Sequence, residues 1–79
     1  MTYVYILESV QTPEHHYVGV TDDLRRRLQK HNARHVSHTS KFRPWRIKTY
    51  IAFTGGNRAL AFENYLKSGS GRAFAKTRL

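Results

Sequence analysis

Two short segments rich in tyrosine and valine, both within the first twenty residues, constrain the fold of this chain most. Residues 2–8 (TYVYILE) and 15–20 (HHYVGV) combine β-branched and aromatic side chains, a composition typical of β-strands. Residues 9–14 separate them and contain Pro13, as expected of a turn. The pair therefore predicts a hairpin. Apolar side chains occupy both faces of the first strand, which predicts a sheet covered on both sides.

Residues 21–31 (TDDLRRRLQKH) predict a helix directly after the hairpin. Thr21 is the predicted N-cap, and the two aspartates that follow it suit the first helical turn. With helical periodicity, one stripe of the helix carries Leu24, Arg27, Leu28 and His31. Arg27 is therefore the one arginine of this segment that lies on the apolar side.

The remaining chain predicts one more strand and two more helices. Residues 32–46 form a long polar loop with room for one helical turn; loops of this length are often functional. Residues 46–54 predict the third strand, and Asn57 the cap of a helix that ends near Lys67. Residues 68–71 (SGSG) break this helix, and residues 72–79 predict a short basic closing helix. The predicted order is β-β-α-β-α-α in a single domain, residues 1–79.

Charge narrows the classes of partner. The 79 residues include 14 Lys and Arg against 5 Asp and Glu, a net charge of +9. Such an excess predicts a polyanionic partner, nucleic acid above all, although solubility alone is an alternative.

No apolar run approaches the roughly 20 residues that span a bilayer, and no signal-peptide pattern opens the chain. We therefore expect no membrane contact and a microbial cytoplasmic location. With no cysteine, thiolate metal sites are excluded.

Glu63 is the sharpest candidate for chemistry, because it is the only acidic residue in the last two-thirds of the chain. Its helix carries Ala59, Phe62 and Leu66 on one face, which places Glu63 at the edge of the buried side. A carboxylate there suits a hard divalent cation, with water and phosphate oxygens as the other ligands. The alternative is an ordinary i, i+4 ion pair with Lys67.

Four other residues are candidates for the same site, each with a structural alternative. Arg27 has the charge to clamp a phosphate, or its stem packs on the core. Tyr5 and Tyr17 have hydroxyls that can orient or deprotonate a water nucleophile, or they are core residues. His31 can donate to a phosphate or relay a proton, or it complements the helix dipole as a C-terminal cation.

The loop that precedes the third strand mixes cations with an aromatic ring, a combination suited to single strands or splayed bases. A solvated basic loop is the alternative. The predicted nucleic-acid contacts are Lys41, Arg43, Trp45, Arg46, Lys67 and Arg72. The remaining histidines lack zinc-site spacing and are interpreted as surface or substrate-contact residues: His15, His16, His35 and His38.

The ordered set Tyr3-Val4-Tyr5, Tyr17-Val18-Gly19, Arg27, His31 and Glu63 resembles the GIY-YIG nuclease family over nearly the whole chain. Residues 61–73 (AFENYLKSGSGRA) are similar to its small standalone bacterial members. The resemblance implies an α+β fold, with a three-stranded antiparallel sheet flanked by helices, and metal-dependent phosphodiester cleavage. By position, the resemblance implies that Glu63 binds Mg²⁺ or Mn²⁺ and that Arg27 binds the scissile phosphate. Tyr17 would activate the attacking water, and Tyr5 would order the site. Gly19 would allow close backbone approach beside Tyr17, and His31 matches a position where many members have a histidine.

The sequence departs from the family pattern at two places. Tyr3 stands where the family name has glycine, and the family's later asparagine has no clear equivalent, since Asn64 points away from the side of Glu63.

The expected function is a metal-dependent DNA endonuclease that favours single-stranded or branched DNA, working alone, as a homodimer or with a protein partner. The alternatives are a noncatalytic nucleic-acid-binding module with a structural Glu63, and a small basic ribosome-associated protein.

Overall fold

A three-stranded antiparallel sheet forms the centre of the molecule. The computed structural model describes residues 1–33 and 37–79, with side chains from 39 onward in the second range; His35 and the side chain of His38 lie outside the described residues. The strands β1 (Thr2–Ser9), β2 (His16–Thr21) and β3 (Trp45–Phe53) are arranged in the order β2-β1-β3. The predicted hairpin and α+β class are confirmed.

Four helical segments cover the sheet in the described part of the chain. These are α1 (Leu24–Asn32), α2 (Ser37–Ser40), α3 (Gly56–Lys67) and α4 (Gly69–Arg78). The single turn α2 lies inside the predicted loop, so the predicted order of the longer elements holds. None of the described helices is long and apolar enough to cross a bilayer.

The predicted helix starts are wrong by two or three residues. Thr21 ends β2 and is buried, and α1 is capped by Asp23, whose Oδ1 accepts from the Arg26 N–H at 3.1 Å. α3 begins at Gly56 with Gly55, not Asn57, as its N-cap. α4 begins at Gly69 because the Ser68 hydroxyl accepts from the Gly71 N–H at 3.1 Å, so residues 68–71 cap a helix as well as break one.

Each face of the sheet has its own apolar core, as the two-sided pattern of β1 predicts. On one face Val4 and Ile6 pack with Ala59 and Leu66 of α3, and α4 adds Ala75. On the other face the buried members are Tyr5, Leu7 and Trp45, and the α1 residues Leu24 and Leu28 pack against them. Alternation along β1 therefore directs Tyr5 toward α1 and its neighbours toward α3.

The junction of α3 and α4 depends on a glycine. A Cβ built at Gly71 would overlap the Tyr65 carbonyl and lie 2.7 Å from Leu66 Cα. Because both neighbours are backbone atoms, a side chain there would force the two helices apart. This close approach holds α4 against the end of α3, where Lys67 lies.

Candidate active site

Five predicted site residues make up the candidate site. β1, β2 and α1 contribute four of them on the face of the sheet that carries Tyr5, and α3, which packs on the other face, contributes Glu63. In sequence order they are Tyr5, Tyr17, Arg27, His31 and Glu63. Tyr5 is 1% exposed.

His31 lies beneath Tyr5 and holds its hydroxyl. Its side chain is 1% exposed, its Nε2 lies 3.2 Å from Tyr5 Oη, and its Nδ1 lies 3.0 Å from Thr39 Oγ1. One neutral tautomer satisfies both contacts, with Tyr5 donating to Nε2 and Nδ1–H donating to Thr39. Both ring nitrogens are thereby engaged within the protein, which makes His31 a residue that positions Tyr5 rather than an exposed helix-end cation.

Tyr17 is the half-buried second tyrosine of the cluster. It lies opposite Leu7 in the β1–β2 register, on the same face as Tyr5. Its ring centroid is 6.4 Å from that of Tyr5 and 4.7 Å from that of His31. Unlike Tyr5, it retains access to solvent, so its hydroxyl is the one better placed to meet a water molecule.

Arg27 and Glu63 both act electrostatically on Tyr5. Burial raises the pKa of Tyr5 to about 12; Arg27 opposes the rise through its charge and a hydrogen bond, whereas Tyr17 and Glu63 add to it. Among these charged groups, Arg27 acts most strongly on the Tyr5 hydroxyl and Glu63 least. With this pKa, Tyr5 is protonated at neutral pH, and its hydroxyl serves as a hydrogen-bond donor, not as a base.

This raised pKa predicts a loss of stability in alkali that Tyr5→Phe lacks. Below pH 10 both folded and unfolded chains hold the Tyr5 proton; between about pH 10 and 12 only the folded chain does, so the free energy of unfolding falls as pH rises. The test is to titrate the parent, Tyr5→Phe and the exposed-site control Tyr65→Phe with denaturant at about pH 9 and 11. The quantity compared is the free energy of unfolding that each protein loses between the two pH values. Equal alkaline losses in parent and Tyr5→Phe would contradict the assignment.

Glu63 is one-sixth exposed and forms the ion pair that its sequence spacing also suggested. Lys67 Nζ lies 3.0 Å from its Oε2, and their side chains are 17% exposed for Glu63 and 51% for Lys67. Exposed i, i+4 pairs contribute about 0.3–0.5 kcal/mol, so Lys67 is easily displaced. The predicted ion pair and a ligand role for Glu63 are thus compatible.

One carboxylate fits the way Mg²⁺ is commonly held. The described residues contain no group of three His, Asp or Glu side chains that could enclose a metal. Mg²⁺, however, usually retains several waters and binds through one or two carboxylates together with substrate phosphate oxygens. Glu63, at the edge of a basic surface, matches that donor set.

Gly19 leaves room for the ring of Tyr5. The two residues are partners in the β1–β2 register, and a Cβ built on Gly19 would overlap Tyr5 Oη and lie 2.6 Å from Cζ. Close approach at Gly19 was expected beside Tyr17, but it is Tyr5 that makes it. The glycine therefore determines where the Tyr5 hydroxyl lies.

Two open grooves adjoin the cluster. One, of about 350 Å³, runs along the start of α1 and is lined by Thr21, Asp22, Asp23, Arg26, Arg27 and Lys30. The other, of about 900 Å³, lies between β2 and the α3–α4 junction, and its basic lining residues are Lys48, Lys67, Arg72 and Lys76. Arg27 belongs to the first groove and Tyr17 to the second, so the cluster lies between two surfaces that carry cations.

The structure separates the predicted nucleic-acid contacts into groups. Lys67 and Arg72 line the larger groove, and Lys41 is exposed with its Nζ 5.3 Å from the Phe42 ring centroid. Arg43 donates to the Ser40 carbonyl at 2.7 Å, which ties its side chain to the loop. Lys41 and Arg72 are therefore better placed than Arg43 to meet a polyanion, and Lys67 would first exchange its ion pair with Glu63.

Arg46 is engaged on the sheet. Its Nη2 lies 2.7 Å from Glu8 Oε1, and Glu8 also faces His16 at 3.8 Å. The hydrogen bond from Arg46 lowers the pKa of Glu8, with the charges of Arg46 and His16 acting in the same direction. The Arg46 side chain is nevertheless 61% exposed, so its contact with nucleic acid stays a prediction.

Trp45 is a core residue, so the predicted stacking of bases on its ring is wrong. The side chain is 4% exposed, and its Nε1 donates to the Thr39 carbonyl at 2.9 Å. Asn32 holds its backbone on both sides, accepting from the Trp45 N–H at 2.6 Å and donating to its carbonyl at 3.1 Å. The indole fixes α2 against β3, and through Thr39 it supports His31.

Thr39 and Asn32 are residues that the sequence interpretation missed. Thr39 supports His31, and Asn32 attaches the end of α1 to β3. An asparagine at a helix end is a weak signal for such a bridge. A threonine in a polar loop carries no signal at all, because its partner lies eight residues away in another element.

The sequence matches the GIY-YIG catalytic domain over residues 1–77. It is 37% identical over 71 residues to the structure-specific endonuclease subunit SLX1 of Debaryomyces hansenii, covering 81% of this chain and 20% of that protein. The corresponding subunit of Talaromyces marneffei is 38% identical over 65 residues, 75% of this chain and 17% of that protein. The chain thus spans about a fifth of these fungal relatives. With the fold, the tyrosine pair and the match in agreement, this chain belongs to the GIY-YIG family.

Proposed function

We propose that this chain is a metal-dependent endonuclease that hydrolyses DNA phosphodiester bonds. The observation that carries the proposal is the cluster of Tyr5, Tyr17 and His31, beside two grooves that carry cations. The charges of Arg27 and Glu63 both act on the Tyr5 hydroxyl of this cluster. A bound Mg²⁺ or Mn²⁺ at Glu63 would supply Lewis-acid stabilisation of the phosphate charge. The endonuclease names of the relatives and the net charge of +9 support the same reaction.

The surroundings of each side chain determine its role in the proposed reaction. Arg27 binds the scissile phosphate and stabilises the charge that develops on it. Tyr17, the more exposed tyrosine of the pair, orients the attacking water through its hydroxyl oxygen. As this oxygen takes the proton of the water, the hydroxyl releases its own proton to solvent. Tyr5 remains protonated and donates its one hydroxyl proton to His31 Nε2, which fixes the direction of the hydroxyl.

Single-stranded or branched DNA is the proposed substrate class in preference to plain duplex. The relatives are named structure-specific, and Arg27 and Tyr17 line two separate grooves that carry cations. Their description as subunits also supports a protein partner for this chain.

The first test is a substrate panel. End-labelled single-stranded, duplex and branched DNA are incubated with the protein in Mg²⁺, Mn²⁺ or chelator, and binding is measured beside cleavage. The proposal predicts cleavage only with metal, greatest for the non-duplex substrates. A noncatalytic binding module on the same scaffold would instead hold DNA equally well in chelator and cut none of the substrates under any condition.

Arg27→Ala is expected to reduce the cleavage rate by about 10²-fold or more, the loss typical of removing one charge-stabilising group, with a smaller loss of affinity. Arg26→Ala is the matched control, since Arg26 is exposed beside it on α1 and lines the same groove. Single-turnover rates and thermal unfolding are measured for both. If Arg27→Ala only lowers stability, with full activity per folded molecule, its stem is a packing element and the phosphate role is wrong.

A further inference from the structure

Tyr50 is an exposed aromatic residue beside the cluster that the proposed reaction does not use. It lies on β3 with 55% of its surface exposed. Its ring meets that of Tyr3 at a centroid distance of 5.9 Å and an interplanar angle of 71°, so the two rings do not stack on one another. Packing in the core does not account for a tyrosine so exposed.

The register places Tyr50 in the same row as the site. Tyr5 on the central strand has Gly19 as its partner on one side and Tyr50 on the other. Directly opposed residues share a face and have Cβ atoms about 4.5–5.5 Å apart. Tyr50 therefore emerges one strand from Tyr5, on the face that also carries Arg27 and Tyr17.

The direction of the Tyr5 ring leaves this side open. The contacts of Gly19 show that the ring extends over β2, away from β3. A phosphate held near Arg27 and Tyr5 would thus have the groove that Arg27 lines beside it and the Tyr50 ring on the β3 side of the row.

We propose that Tyr50, supported by Tyr3, is a stacking platform for an unpaired nucleobase next to the bound phosphate. Every base has a π face, so such a platform tolerates all sequences but requires a base that is free of its duplex stack. This inference rests on the proposed function and deepens it, because it names the feature of single-stranded and branched DNA that the protein recognises. It also provides the aromatic contact that the buried Trp45 does not.

The test compares three variants in chelator, where binding is measured without cleavage. Tyr50→Thr removes the ring but keeps a β-branched strand residue, Tyr50→Phe keeps the ring, and Tyr65→Ala removes an equally large aromatic that is 40% exposed on α3. The probes are a single-stranded oligonucleotide carrying 2-aminopurine and a blunt duplex of the same sequence. Thermal unfolding verifies that each variant is folded.

Tyr50→Thr is expected to weaken single-strand binding by about 5- to 100-fold, the effect of losing one base–aromatic stack, and to leave duplex affinity within about twofold. Tyr50→Phe and Tyr65→Ala should bind the single strand as the parent does, with 2-aminopurine quenched in both. Equal losses for both probes, or no loss for either, would overturn the platform. Cleavage by the parent is a separate readout: a Tyr50-dependent single-strand preference without any cleavage would retain the platform and reject the nuclease.

Discussion

Glu63→Gln is expected to lower the cleavage rate by at least about 10²–10³-fold, while DNA binding in chelator stays close to that of the parent. The substitution keeps the size and hydrogen-bonding capacity of the side chain but removes the negative charge that a hard cation requires. The loss is at least as large as that caused by deleting one preorganised charge-stabilising group. Binding is spared, because removing a carboxylate only lessens the repulsion of phosphates.

Glu14→Gln is the matched control for this prediction. Glu14 is an exposed carboxylate on the rim of the larger groove, so its removal produces the same change in net charge at a distance from Tyr5. Loss of the Lys67 ion pair should cost Glu63→Gln no more than about 0.5 kcal/mol of stability. A Glu63→Gln protein that cuts at the parent rate would show that the carboxylate is only the partner of Lys67.

Gly19→Ala is expected to have the second largest effect, on both stability and cleavage. The new methyl group would occupy space taken by the Tyr5 hydroxyl and ring, and Tyr5 is held there by His31. Overpacking of this kind costs about 1–3 kcal/mol. Since the ring must turn away from His31, the activity per folded molecule should fall as well.

Gly69→Ala is the control, because no atom lies within 4 Å of a Cβ built there and the residue is helical. It should be as stable as the parent or slightly more so, since alanine favours helix over glycine. Unfolding in denaturant and single-turnover cleavage are measured on both proteins. Gly19→Ala with parental stability and rate would show that the position of the Tyr5 ring is unimportant.

The part of the site that the sequence predicts well is the part set by local periodicity. Alternation along β1 separates Tyr5 from Val4, and the helical stripe that selects Arg27 also contains His31. Both patterns depend on residues close in sequence, where backbone geometry determines the direction of each side chain. The edge position of Glu63 on α3 follows from the same reasoning.

The part that the sequence does not predict depends on how separate elements pack together. Trp45 lies among cations in the sequence. Its indole is buried because it packs with Tyr5 and Leu7 of β1 and donates to Thr39 of α2. Gly19 was expected to make room beside Tyr17, its neighbour in the motif, whereas the register brings Tyr5 over it. Tyr50 acquires its place beside Tyr5 through pairing of strands forty residues apart in the chain, which no local pattern encodes.

The proposed reaction is hydrolysis of a phosphodiester bound at the cluster around Tyr5 once a divalent metal is supplied. The most direct measurement is to form the protein–DNA complex in chelator with end-labelled branched DNA, add excess Mg²⁺, and follow the products on a denaturing gel. We expect a stable complex with intact DNA before Mg²⁺ is added and specific cleavage after it. Cleavage before the metal is added, or a stable complex that remains uncut in both Mg²⁺ and Mn²⁺, would contradict it.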